Sequence, residues 1–263
     1  MSMTTVADKA ALFRQLHARS GVFVMPNPWD AGSAKLLAGL GFEALATSSA
    51  ASAMSMGRTD YQLTLDDALA HARAIVEATD LPVSADLENG FGHAPEVVAQ
   101  TIRLAGEVGL AGGSIEDASQ QAGEPIYPLS QAAERVAAAV EAARSMGRPF
   151  TLTARAENFL NGRPDLDDTI RRLQAFEAAG ADVLFAPGLP SLDAVKTVCS
   201  AVAKPVSFMV GIPGKSFSVA ELEAAGVKRI SLATSLYRAA MNGLKAAAEE
   251  IRRDGTFGYL SLR

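Results

Sequence analysis

The sequence predicts a single α/β barrel of the TIM type, eight parallel strands each followed by a helix, with one extra helix at the N-terminus. Three observations carry this. Short apolar runs alternate with amphipathic stretches from one end of the chain to the other. Most of those stretches close on a glycine two to four residues before the next apolar run. The 263 residues contain no stretch with the composition of a linker, and barrels of this kind reach that length as one domain. Strict strand–helix alternation requires a parallel sheet, because each crossover needs its helix. An open doubly wound sheet is disfavoured by the eightfold repeat and by the absence of a glycine-rich dinucleotide fingerprint.

Thr5 to Arg19 reads as an amphipathic helix, with Ala11, Leu12 and Leu16 opposite Asp8, Lys9 and Arg14. In the domain plan residues 1–20 form this N-terminal helix covering the barrel bottom, 21–233 the barrel, and 234–263 a final helix and tail. Near the first helix's end, His17 is expected at the surface. The first strand is Gly21–Met25; Asp30 then caps a helix from Ala31 to Leu40. The second strand is Ala44–Thr47. Thr64, with Asp67 at the capping-box position, starts the helix Leu65–Thr79 before the third strand, Pro82–Ala85. Helix Val97–Val108 precedes strand Ala111–Ile115, and a helix capped by Ser130 and reaching Met146 precedes strand Phe150–Ala154. Helix Asp167–Ala179 leads to strand Val183–Ala186, Ser191–Ala203 to Val206–Val210, and Val219–Ala225 to the eighth strand, Arg229–Ala233. Thr234–Ile251 is the last amphipathic helix, and Phe257, Tyr259 and Leu260 make the tail apolar.

Composition narrows the function classes. Hydrophobic residues are 49% and charged residues 20%, as in an ordinary globular protein. A net charge of −5 without a basic stripe argues against nucleic acid, and no apolar run reaches membrane-spanning length. The lone cysteine, Cys199, fits a reducing cytoplasmic setting and sits in an apolar helical pattern, so a buried thiol is expected rather than a nucleophile.

In a barrel the reactive groups sit at the C-terminal strand ends. Those positions hold Ser48, Ser49 and Asp60 after the second strand, Asp86 and Glu88 after the third, Glu116 and Asp117 after the fourth, and Arg155, Glu157 and Asn158 after the fifth. Asp86 and Glu88, spaced i, i+2 at a strand end, are expected to point to one side, with Gly90 and Gly92 allowing a tight turn. Packed carboxylates repel one another, and a divalent cation relieves this. All-oxygen ligation favours Mg²⁺ or Mn²⁺ over zinc. Arg155 suits a planar carboxylate through its bidentate fork, the alternative being ion pairs with these same acids.

These segments, Asn27 to Ala34, Thr47-Ser48-Ser49, Met56 to Asp60, Asp86 to Gly92, Ile115-Glu116-Asp117 and Ala154 to Glu157, resemble the isocitrate lyase / phosphoenolpyruvate mutase superfamily over nearly the whole chain. The resemblance implies an Mg²⁺-dependent enzyme acting on a 2-oxo or 2-hydroxy carboxylate through an enolate-like intermediate. It places Asp86 on the metal and Asp60, Glu88 and Glu116 on it directly or through water. It places Ser48, Ser49 and Ala50 on the substrate's carboxylate and oxo oxygen, Arg155 on its carboxylate, and Trp29 as an aromatic wall. It also implies a homo-oligomer, a dimer or tetramer, since members commonly exchange a C-terminal helix. One departure stands out. After the fourth strand, lyases of isocitrate and 2-methylisocitrate carry Lys-[Lys/Arg]-Cys-Gly-His, whereas Ala118 to Pro128 holds no Cys, His or Lys. The Lys-rich or Asn-containing segment of the phosphonate branches is missing too. Arg155, Glu116 and Tyr127 remain as catalytic candidates, with Glu124, His93 or a metal-bound water as other proton donors. The leading expectation is a lyase or decarboxylase of a small 2-oxo dicarboxylate; the alternatives are a P–C bond enzyme (phosphonopyruvate hydrolase or phosphonomutase) and a non-catalytic 2-oxo acid binder.

Overall fold

The computed structural model describes residues 4–261; the outermost residues of the 1–20 and 234–263 segments lie outside them. In chain order the elements are α1 (Val6–Ala18), β1 (Phe23–Met25), α2 (Ala31–Gly39), β2 (Leu45–Ala46), α3 (Ser49–Ser55), α4 (Leu65–Ala78), β3 (Val83–Asp86), α5 (Pro95–Glu107), β4 (Gly112–Glu116), β5 (Ala118–Gln121), β6 (Glu124–Ile126), α6 (Leu129–Arg144), β7 (Thr151–Arg155), α7 (Leu166–Ala178), β8 (Val183–Phe185), α8 (Leu192–Ala201), β9 (Val206–Met209), α9 (Val219–Ala224), β10 (Arg229–Ser231) and α10 (Ser235–Asp254). A short 3₁₀ turn, Gly258–Ser261, ends the described chain.

Eight strands pair in parallel in the order β1-β10-β9-β8-β7-β4-β3-β2. The remaining seam, between β1 and β2, is bridged where Ala46 N donates to Pro26 O at 3.1 Å and Asn27 Nδ2 to Thr47 O at 3.0 Å. The α/β barrel of the TIM type is therefore present. Helix ends follow local chemistry. Thr5, Asp30 and Thr64 each form a capping box three residues ahead, and Gly41, Gly109, Gly180 and Gly226 take the left-handed conformation between helix and strand. The helix opening at Leu129 has no side-chain cap, so the cap expected from Ser130 is absent; Ser130 lies inside the first turn.

α1 closes the barrel bottom. Its Ala10, Phe13 and Leu16 form a buried cluster with Phe23, Met25, Ala44, Ala46 and Ala111. His17 belongs to this layer and is buried, not at the surface. Its ring stands edge-on to Phe13 and Phe23, at centroid distances of 4.7 and 5.0 Å. Its proximity to Phe13 O, at 2.8 Å, and to Arg229 explains the inward turn. Two further elements depart from expectation. Residues 49–55 form α3 directly after β2, and the segment after β4 is a β-hairpin, β5–β6, turning at Ala122-Gly123 with Gly123 left-handed. Among the described residues no helix is long and apolar enough to cross a membrane.

α10 is different from every other long helix: none of its residues is buried, and Leu244 and Ile251 are exposed along it.

Candidate active site

A cavity of about 200 Å³ opens at the C-terminal strand ends. Its wall includes Ser48, Ser49, Ala50, Asp60, Asp86, Arg155 and Arg238, and its floor reaches Ser84, Ser114, Ser231 and Arg229. Small hydroxyl side chains occupy barrel positions that bulky aliphatic residues more often fill. That leaves the lumen open beneath the mouth.

α3 positions the first wall. Ser48 caps it, its hydroxyl accepting from Ala51 N at 3.4 Å, so the amides of Ser49 and Ala50 belong to the first turn, whose N–H groups have no intrahelical acceptor. Ser49 donates from both N and Oγ to Asp86 Oδ2, at 3.3 and 3.1 Å. Thr47 Oγ1 fixes Asp86 in turn, accepting from its backbone N at 3.0 Å. β3 ends at Asp86, and Glu88 is left-handed with φ +49°. Asp86 and Glu88 are thus related by a turn, not by strand periodicity, and Glu88 N donates back to Asp86 Oδ1 at 3.3 Å. A non-glycine residue held at positive φ is strained, and Tyr61, Phe91, Gln120 and Ala233 around the same mouth share that feature.

The acids divide into two groups. Asp60, Asp86 and Glu88 have little positive charge against them. Burial, then Asp86, pushes the Asp60 carboxyl up. Burial, then Asp86 and Asp60, pushes Glu88 up to about 8. Glu88 Oε2 receives only a long contact from Gln120 Nε2 at 3.4 Å, and Glu88 Oε1 is buried without a partner among the described residues. The second group, Glu116 and Glu157, surrounds Arg155. Arg155 Nη1 lies 3.1 Å from Glu116 and 3.5 Å from Asp86, and its Nε contacts Glu157 Oε1. Burial opposes the Arg155 charge, but these three carboxylates outweigh it and hold its pKa well above the ordinary value. Burial pushes Glu157 up to about 7 and Glu116 well upward despite Arg155.

The donor set fits a hard divalent cation on the first group: all-oxygen, acidic, with one carboxylate oxygen left unpartnered. Among the described residues, however, no three His, Cys, Asp or Glu side chains stand together closely enough to hold one ion. One or two of these acids would hold such an ion directly and the others through water. Glu116 stands apart from it, taken up by Arg155 and by Tyr61, whose hydroxyl donates to Glu116 Oε1 at 2.8 Å.

Four candidates lie off the cavity wall: Glu88 and Glu116, and also Tyr127 and Trp29. Tyr127 is 1% exposed, lies outside the cavity wall, and its hydroxyl meets His93 Nδ1 at 2.7 Å and Asn89 Nδ2 at 3.3 Å, with the Arg135 guanidinium 4.2 Å above its ring. Its hydroxyl is engaged by these side chains and does not line the cavity. Trp29 also lies off the wall, edge-on to Tyr237 at 5.5 Å. Cys199 is partly buried and its thiol is pushed up to about 11 by burial, unsuited to attack. Sequence reasoning missed Tyr61, Arg238 and Asn27. Asn27 joins three strands, its Oδ1 accepting from Leu232 N at 3.0 Å and Ser231 Oγ at 3.2 Å while its amide holds Thr47. Its position between two prolines was the available signal.

The family model for phosphoenolpyruvate phosphomutase matches residues 13–252. A crystal structure from Burkholderia cenocepacia J2315, provisionally described as a lyase/mutase, superposes with a TM-score of 0.96 at 55% identity, covering 98% of this chain and 92% of that one. A 2,3-dimethylmalate lyase structure gives a TM-score of 0.87 at 30% identity over 98% of this chain and 90% of its own. Oxaloacetate decarboxylase of Paraburkholderia xenovorans is 31% identical over 95% of this chain and 83% of its own length. With its barrel, its strand-end acids and this extent of similarity, the chain belongs to the phosphoenolpyruvate mutase/isocitrate lyase superfamily.

Proposed function

We propose that this chain is an Mg²⁺-dependent lyase or decarboxylase of a small 2-oxo dicarboxylic acid. The observation that carries this is a cavity of about 200 Å³ with two arginines, Arg155 and Arg238, on a wall shared with Asp60 and Asp86. Two guanidinium groups suit two carboxylates, and the volume suits a short carbon chain. Asp86, with Asp60 and Glu88 through water, would hold Mg²⁺ or Mn²⁺, which would supply Lewis-acid polarisation of a 2-oxo group and offset negative charge developing there. The first-turn amide of Ala50 receives the oxygen end of the substrate, that of Ser49 being held by Asp86. Arg155, kept in plane by Glu157, takes one carboxylate and Arg238 the other. Glu116, with its raised pKa and its hydroxyl partner Tyr61, replaces Tyr127 as the group positioned to hold a proton near Arg155.

The hairpin β5–β6 supports excluding isocitrate and 2-methylisocitrate cleavage, since no Cys, His or Lys lies within it. It brings Gln120 to Glu88 and so serves as the cover of the acid loop. A second reading, P–C bond chemistry, is favoured by the name of the matching family model. The exposed side chains of α10 support assembly into a homo-oligomer, and the lone, partly buried cysteine supports a cytoplasmic setting.

The test is a panel of oxaloacetate, substituted malates and phosphonopyruvate with Mg²⁺, following pyruvate and phosphate. Pyruvate from an oxo or hydroxy dicarboxylate, abolished in a folded Asp86→Ala variant, is the expected result. Phosphate from phosphonopyruvate alone selects the second reading, and undiminished turnover in Asp86→Ala refutes the metal assignment.

A further inference from the structure

The other end of the barrel carries a second and larger cavity, of about 780 Å³, which the proposed reaction does not use. It lies between α1, the C-terminal end of α6, the segment leading into β7 and the segment leading into β9. Its wall holds Arg14, Arg144, Arg148 and Lys204, and the single acid Asp182. In a chain of net charge −5 this is a local excess of positive charge.

The four cations differ in what they already do. Arg148 is part of the fold, Nη1 donating to Leu110 O at 3.1 Å and Pro149 O at 3.2 Å, and Nη2 to Gly106 O at 2.6 Å. Arg14, Arg144 and Lys204 come from three different elements, and none of them is in an ion pair among the described residues. All three surround Asp182 electrostatically, yet Asp182 is bound to a backbone amide, its Oδ2 accepting from Leu152 N at 2.9 Å. One carboxylate does not neutralise them. Local backbone supports the arrangement. Gly180 is left-handed, and a Cβ placed there meets Arg144 Nη2 at 2.7 Å, so the missing side chain is what lets this guanidinium lie against the cavity wall. His17, on the same wall, adds no charge, since burial and Arg229 hold its pKa down to about 3.

We propose that this basal cavity is a binding site for a small polyanion, a phosphate-bearing or polycarboxylate molecule, separate from the substrate cavity. Its volume is in the range of small-molecule sites, and convergent unpaired arginines are the usual means of holding such groups. Binding there does not depend on which reaction the mouth performs.

The experiment is calorimetric titration of the full chain, free of divalent metal and at low salt, with sodium pyrophosphate and separately with citrate. Expected is saturable one-to-one binding to at least one of them, weakened about tenfold or more in Arg144→Ala/Lys204→Ala, whose exposed side chains leave the fold intact by circular dichroism. Arg238→Ala, at the mouth, should leave that binding unchanged. Preference for pyrophosphate assigns a phosphate ligand and preference for citrate a polycarboxylate. Absence of saturable binding to both probes, equal affinity in the double variant, or loss in Arg238→Ala overturns the proposal.

Discussion

Glu88→Gln, studied without substrate, isolates the cation site from the reaction. In the metal-free chain Glu88 is buried at 2% exposure, next to Asp86 and Asp60, and its carboxyl is held up at about 8 against an ordinary value of 4.5. A group whose folded pKa is raised adds stability below its unfolded pKa, and that stability is lost as the pH climbs from about 4.5 toward 8. At pH 8 the folded chain therefore bears most of the cost of an ionised, poorly partnered carboxylate. At roughly 1.4 kcal/mol per decade the ceiling is about 4 to 5 kcal/mol, and relaxation of the loop brings the expected effect to about 2 kcal/mol. Gln removes the charge and keeps the shape. In EDTA at pH 8, Glu88→Gln should melt above the parent chain by roughly 4–8 °C, and the gap should narrow toward pH 5. Millimolar Mg²⁺ should then raise the melting temperature of the parent and raise that of the variant less. A variant no more stable than the parent in EDTA, or equal stabilisation of both by Mg²⁺, refutes the reasoning.

Gly112→Ala tests the packing of α1 on the barrel bottom. The added Cβ meets Thr151 O closely and Phe13 Cε1 at 2.9 Å, so a loss of about 1–3 kcal/mol is expected in urea unfolding. Truncation after Asn242 removes the part of α10 beyond the contacts of Leu236 and Tyr237 with the barrel; analytical ultracentrifugation should show a smaller species that keeps its barrel circular dichroism, and an unchanged mass refutes a role in assembly.

The repeat of apolar strand, amphipathic helix and closing glycine made the barrel readable from sequence, because each of those signals is local. Capping at Asp30 and Thr64 was readable for the same reason. What escaped was set by long-range contact. The seven residues of α3 are Ser, Ala and Met, with no charged residue to mark a solvent face, and they take shape because Ser48 caps them and Ser49 bonds to the end of β3. The β5–β6 hairpin is too short and too polar to show strand alternation. His17 looked like a helix-end surface residue until β1 and β10 brought Phe23 and Arg229 to its ring. Tyr127 carried a reactive group in the right loop, but Asn89, 38 residues earlier, engages its hydroxyl, and Arg135, on the helix that follows, covers its ring.

The division of the acids decides where a cation belongs. Glu116 and Glu157 have Arg155 between them, and a second cation there would compete with a charge already in place. Among the described residues, Asp60, Asp86 and Glu88 have no cation of their own beyond the outer edge of Arg155, 3.5 Å from Asp86 Oδ2. Asp86 is the one residue shared by both groups, held by Ser49 on the side of α3 and by Arg155 on the side of β7. On the proposed reading, a divalent ion held by Asp60 and Glu88 would loosen the hold of Asp86 on Arg155 and leave that guanidinium edge open to a carboxylate. Cation and substrate carboxylate would then bind in support of one another, with Asp86 as the residue that couples them.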